Sequence, residues 1–245
     1  MDNGIANNSI LLLHRILKTA VKQNVISRNP ATFAEIPKKE KNSIQTWTEE
    51  EVKKFLLHSQ ESRYHIGYLL AITTGMRLGE VLGLRWQDVD FEKHTITINQ
   101  TSGHDDKIKK TAKTNSSKRT IPVPKETIES LKKHRITINK EKLKCGSAYQ
   151  DFDLINCTEF GMVIRRANFR NTFLRTIDNA GIKRIKFHDL RHTHATILLK
   201  QGVNPKIISE RLGHTDISMT LRVYSHVLPN MQEEAVKNFG KSIFG

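Results

Sequence analysis

Apolar residues recur at helical spacing through most of the chain, and the breaks in that spacing mark out its elements. In 8–26, NSILLLHRILKTAVKQNVI, the residues Ile10, Leu13, Leu17, Ala20 and Val21 fall on one stripe. Asn8 or Ser9 can cap its start, and Asn29-Pro30 stops it, because the proline ring disfavours helical geometry in the residue before it. Residues 36–46, IPKKEKNSIQT, are polar and charged and read as a linker. Thr48 and Glu51 then form a capping-box pattern, which predicts helices over 49–58 and 63–74, the second ending at Gly75. A short helix is expected from Arg77 to about Leu84.

From His94 the period changes to two. HTITINQ (94–100) and KRTIPV (118–123) alternate β-branched and polar residues, which predicts a small antiparallel sheet of two or three strands with Lys113 near a turn. A helix is predicted at 125–137, followed by a second basic, linker-like stretch, TINKEKLKCG. Further helices are expected at 165–180, 188–200, 205–213, 216–224 and 230–242. The fold class is therefore mainly α with one small antiparallel β-sheet.

Composition narrows the function. A formal charge of +15 over 245 residues points to a polyanionic partner, most often nucleic acid. The two cysteines, Cys145 and Cys157, have neither zinc-site nor disulfide-framework spacing. The apolar runs are too short to span a bilayer and no signal peptide is visible, so a cytoplasmic, nucleoid-associated location is expected, with no membrane partner.

Six reactive side chains stand among apolar periodicity: Arg77, Lys113, His188, Arg191, His214 and Tyr224. Arginine presents a fork of donors matched to phosphate oxygens and stays protonated. Arg77 follows Gly75 at a helix start, and Arg191 lies three residues after His188, on a shared face. A tyrosine phenol can attack phosphorus if a histidine takes its proton, and a lysine can protonate the leaving alcohol. Singly, each has an ordinary reading: a surface arginine, a solvated lysine, a core tyrosine, a histidine capping a helix end. A rival pattern is HDLRH, in which His188 and His192 stand at the spacing of a zinc-hydrolase motif, with His194 or His214 as a third ligand. Its acid is aspartate, and Arg191 would set a cation beside the metal.

As a set, the residues resemble a family. TTGMRLGEVLGLRWQDVDF is similar to the first arginine box of the tyrosine recombinases of the phage-integrase type, and FHDLRHTHAT to the second. LGHTDISMTLRVYSHV resembles the segment with their histidine and nucleophile, and KTNSSKRTIPVP their catalytic-lysine β-turn. The likeness runs over about residues 46–228, in family order.

The resemblance implies an α+β tyrosine-recombinase catalytic domain over 41–245, behind a C-terminal remnant of a helical DNA-clamp domain and a linker at 1–40. Tyr224 would attack the scissile phosphate, Arg77 and Arg191 would clamp it, and His214 would donate to it. Lys113 would be the general acid, with Lys118 as the nearest competitor, His188 would assist as base, and Glu80 would support Arg77. Neither a metal nor a cofactor is implied. The implied partner is double-stranded DNA, bound by a homo-tetramer that is monomeric when free, with accessory DNA-bending or excision factors as further candidates. Integration or excision of a mobile element is the leading expectation. Dimer resolution or DNA relaxation by the same chemistry, and a DNA-binding regulator that retains only the fold, are the alternatives.

Overall fold

The computed structural model describes residues 3–34, 45–103, 105–110, 118–214, 236 and 239–244. Lys113, Tyr224 and the helix expected at 216–224 lie outside these residues; of the helix expected at 230–242, residues 236 and 239–242 are described, and they are helical. The chain divides into two compact units, Met1–Ser43 and Ile44–Gly245.

The first unit holds helix α1 (Asn3–Lys22) and a 3-10 turn at Pro30–Phe33. Asn29 joins them: its Oδ1 accepts the Ala31 N–H at 2.9 Å and its Nδ2 donates to His14 O at 3.1 Å. Leu11, Leu12, Leu13 and Ile16 of α1 are each 52–59 % exposed.

The second unit opens with α2 (Glu49–His58), capped as the sequence predicts: the Thr48 N–H donates to Glu51 Oε2 at 2.8 Å and the Glu51 N–H to Thr48 Oγ1 at 3.2 Å. α3 (His65–Thr74), α4 (Leu78–Gly83), α5 (Lys125–Cys145) and α6 (Arg166–Ala180) follow, then α7 (Asp189–Lys200) and α8 (Pro205–Leu212). The core between α2, α3 and α6 is aromatic. Phe55 meets Tyr68 and Phe173 edge-on, each at 5.3 Å between ring centroids, and Phe187 stands edge-on to Phe169 and Phe173 at 5.4 Å. Trp47 closes one side, its Nε1–H donating to Lys183 O at 2.7 Å.

Strands β1 (Val89–Asp90), β2 (Thr95–Ile98) and β5 (Arg119–Pro122) make an antiparallel sheet in the order β1-β2-β5, with Ile96 opposite Ile121 and Ile98 opposite Arg119. Alternation along β2 buries Ile96 and Ile98 on one face. A second sheet pairs β3 (Gln100–Ser102) with β4 (Ile108–Lys110), where one sheet is predicted. The sequences QTS and IKK lack apolar alternation, so pattern alone does not reveal them. β3 runs close over α4, where Gly79 has no side chain: a Cβ there would collide with Thr101 Oγ1.

The stretch TINKEKLKCG is no linker. It continues α5 for two more turns, because Ile138 is buried at helical spacing from Ile128 and Leu131, and Glu141 takes a bidentate ion pair from Arg63 at 2.6 and 2.8 Å.

Candidate active site

α3 ends at Gly75, whose φ of +69° reverses the chain. A side chain at Gly75 would strike Leu212 Cδ2 and come within 2.9 Å of His194 Cδ2, so this turn needs glycine for space as well as for conformation. The turn delivers Arg77 to the start of α4. Glu80 reaches back there, its Oε2 accepting the Arg77 backbone N–H at 2.8 Å and its Oε1 the Arg77 Nη1 at 3.0 Å. The Arg77 side chain stays 43 % exposed, the Glu80 side chain 8 %.

The opposite wall is α7. Phe187, locked in the aromatic core, sets where His188 begins the helix, and His188 remains exposed. Arg191, one turn on, points inward and is 2 % exposed; its Nη1 donates to Gly75 O at 2.9 Å and its Nη2 to Leu212 O at 2.6 Å.

The last turn of α8 gathers the arginines. Arg119 Nε donates to Arg211 O at 2.8 Å, Arg191 Nη2 to Leu212 O, and Arg77 Nη2 to Gly213 O at 3.1 Å. A helix leaves its final carbonyls without intrahelical partners, and its C-terminus carries partial negative charge. Here three consecutive carbonyls each take a guanidinium, and His214 follows directly. Arg211 in turn fastens α8 to its surroundings: Nη1 to Pro122 O and Nη2 to Thr73 O, both at 2.9 Å, and Nε to His194 Nε2 at 3.0 Å.

His194 donates from Nδ1 to Ile72 O at 2.8 Å and accepts from Arg211 at Nε2, so both ring nitrogens are occupied. That removes it as the third ligand of the zinc reading. His188 and His192 stand edge to face at 5.2 Å, and among the described residues no group of three His, Cys, Asp or Glu is placed to hold a metal ion.

Burial first, and crowded cations after it, set the titration of the site. Burial, then the nearby Arg77, lowers Arg191 to about 9, which still leaves it protonated at neutral pH. Burial, then Arg191 and Arg77, brings His214 down to about 4. Desolvation of the ring also lowers His188, with His192 and then Arg191 adding to it; it lowers His192 too, where Asp189 opposes the shift and Arg191 adds to it. His214 is therefore neutral near pH 7, and Arg191 carries positive charge there. For Glu80, burial acts to raise the carboxyl, but hydrogen bonds and charge from Arg119, then Arg77, hold it below its ordinary value.

A cavity of about 800 Å³ opens beside Arg77 and His188, floored by Phe173 and Ile185 and ringed by Arg166, Arg170, Arg184 and Lys186. Lys118, the competitor for the lysine role, lines a separate cavity with Asp88 and Asp90. The structure thus brings together Arg77, Glu80, His188, Arg191 and His214, whereas Lys113 and Tyr224 lie outside the described residues. Arg119, His194 and Arg211 belong to the same network. No spacing rule singles them out, because their partners lie from 17 to 138 residues away in the chain.

Known proteins resemble this chain in sequence and in fold. The pattern described as the phage integrase family matches residues 45–231. The chain is 37 % identical to a XerC-like tyrosine recombinase of Caldanaerobacter subterraneus subsp. tengcongensis, over 96 % of this chain and 66 % of the relative. It is 28 % identical to the ICEBs1 integrase of Bacillus subtilis (strain 168), over 96 % of this chain and 64 % of the relative. It therefore spans slightly less than two thirds of the length of these curated relatives. The Tn1549 transposon integrase, solved in complex with transposon right end DNA, has the same fold, with a TM-score of 0.76 at 21 % identity over 98 % of this chain and 79 % of that one. With the family pattern matching residues 45–231, most of its length, the chain belongs to the phage integrase family.

Proposed function

We propose that this chain carries the catalytic part of a site-specific DNA recombinase that integrates or excises a mobile element. The observation that carries the reading is the convergence of Arg77 and Arg191 on the carbonyl end of α8, beside His188 and His214. A phosphodiester in this cleft meets fixed cations where negative charge builds in the transition state. Tyr224 Oη attacks phosphorus, its proton passing toward His188, and the bond from phosphorus to the 5′ oxygen breaks. Lys113 gives the departing 5′ oxygen its proton, leaving a 3′-phosphotyrosyl link and a 5′-hydroxyl. Attack by another strand's 5′-hydroxyl reverses the steps and rejoins the DNA.

The groove ringed by Arg166, Arg170, Arg184 and Lys186 supports double-stranded DNA as the substrate. Residues 41–245 make up the catalytic domain in this reading, and 1–40 are the end of a helical clamp domain with its linker. Four chains assemble on DNA, from monomers when free, with accessory DNA-bending or excision factors, in the cytoplasm at the nucleoid. Among the described residues no helix is long and apolar enough to cross a membrane.

A duplex nicked so that the cleaved fragment diffuses away tests the chemistry. The wild-type chain is expected to become covalently attached to it, with or without EDTA, and Tyr224→Phe to bind it but form no adduct. An adduct with Tyr224→Phe would move the nucleophile elsewhere. DNA binding without any wild-type adduct would favour the regulator reading.

A further inference from the structure

Glu80 accepts four hydrogen bonds on two oxygens. Oε1 takes Arg77 Nη1 and Arg119 Nη1, each at 3.0 Å; Oε2 takes the Arg77 backbone N–H at 2.8 Å and Arg119 Nη2 at 2.9 Å. The Arg119 side chain is as buried as that of Glu80, at 8 % exposure, and its Nε is tied to Arg211 O. A buried carboxylate beside a single arginine would draw it into a bidentate pair, the strongest geometry open to the two. Such a pairing would take up the face of Arg77 that meets solvent. Arg119 already occupies the fork position on Glu80, so Arg77 contributes one side-chain donor to it and turns Nη2 to the end of α8. Two guanidiniums on one carboxylate also leave one positive charge over, and Arg77 is the more exposed of the two.

We infer that Arg119 is a positioning residue for the phosphate clamp: by saturating Glu80 and bonding to the C-terminal turn of α8, it limits Arg77 to a single side-chain bond with Glu80 and holds it facing the cleft. Arg119 opens β5, six residues after Lys113 in the chain, so the strand leaving the lysine segment is itself anchored on the clamp. The role rests on Arg77 being a phosphate ligand, and one arm of the test is independent of that reading.

In that arm, arginine side-chain NMR on the full chain follows the Arg77 Nη–H signals, identified by their loss in Arg77→Lys. Arg119→Lys keeps the charge but not the fork, and is expected to slow exchange of these protons with water by about 10-fold, as gain of a bidentate charge-assisted pair with Glu80 would. Unchanged exchange overturns the inference, whatever happens on DNA. In the second arm, Arg119→Lys at saturating DNA should slow adduct formation on the nicked duplex roughly 10- to 100-fold, the size of a small misplacement, while the dissociation constant stays within about 3-fold. The double variant Arg119→Lys/Arg77→Ala should be no slower than Arg77→Ala, because one residue acts through the other. Losses that multiply, or a defect confined to DNA affinity, overturn the inference. Slower Arg77 exchange in Arg119→Lys with no adduct from the wild-type chain would remove the strand-cleavage reading and leave the positioning role standing. Should Arg119→Lys fail to fold in a thermal melt, Arg119→Gln takes its place in both arms with the same expected outcomes.

Discussion

Between α2, α3 and α6 the second unit is held by tilted and edge-on aromatic rings, whereas between α7 and α8 it is held by guanidinium groups. Trp47, Phe55, Tyr68, Phe169, Phe173 and Phe187 are all buried in the first region. The second has a small apolar cluster of Ala195, Leu199, Ile208 and Leu212. Around it, Arg119, Arg191 and Arg211 spend their donors on backbone carbonyls of Gly75, Thr73, Pro122, Arg211 and Leu212. The difference follows from what each region must do. Burying rings needs no particular charge, but a cleft for a phosphate needs cations at fixed places. Buried cations in turn need acceptors, because an unpaired one costs several kcal/mol. The carbonyl end of α8 and Glu80 supply those acceptors, so the groups that give the cleft its charge also fasten α8 in place.

The contrast can be broken from the aromatic side first. Phe55→Ala should lower stability by about 3–5 kcal/mol, read as a shift in the urea midpoint, since the ring is fully buried among others. Adduct formation per folded molecule should stay within a few-fold, because Phe55 does not itself line the cleft and meets it through the Phe173 ring. A specific cleavage defect would mean that the two regions are coupled more tightly than their separate packing implies.

From the other side, Arg191→Ala should cost about 2.7–4 kcal/mol in the transition state, or ~10²- to 10³-fold in adduct formation, as loss of an oxyanion donor does. It should also destabilise α8, because Leu212 O and Gly75 O lose their donor. Hydrogen exchange of α8 amides would report that loosening; full protection together with lost cleavage would separate the two roles assigned to Arg191.

The histidines give a pH test of the same region. His194, pushed down to about 3 by burial and then by Arg211, binds no proton in the folded chain across a range where the unfolded chain does. Its contribution to stability is therefore full above its ordinary value of about 6.5 and is lost as pH falls from there toward about 3. That amounts to at most about 1.4 kcal/mol per pH unit, and His194→Gln should remove this part of the slope of unfolding free energy against pH. An unaltered slope would place the proton uptake elsewhere, on His214 or its neighbours.

The smallest expected effect lies at the start of the aromatic region. Thr48→Ala removes one half of the capping box of α2 and should cost about 1 kcal/mol in the urea midpoint, with adduct formation untouched. A drop in cleavage would tie α2 to the cleft through Trp47, whose backbone N–H donates to Thr193 Oγ1 at 3.1 Å on α7.

Local chemistry made much of this protein legible. The Thr48–Glu51 box, the stop at Gly75, the alternation that buries Ile96, Ile98 and Ile121, and the apolar period of most helices depend on residues within a few positions of one another. For that reason the sequence by itself determined where nearly every described element lies, and set Arg77 at a helix start and His188 and Arg191 one turn apart. It misjudged 137–146, where one buried isoleucine and a distant arginine outweigh a run of lysines, and it did not foresee the β3–β4 pair, which carries no period. Only the tertiary structure decided how the cations are held. Arg119 meets Glu80 across 39 residues, Arg77 meets Gly213 across 136, and Arg211 meets Thr73 across 138. Such bonds leave no period in a sequence, because a guanidinium satisfies any carbonyl that the fold brings within reach, whatever side chain that carbonyl's residue bears.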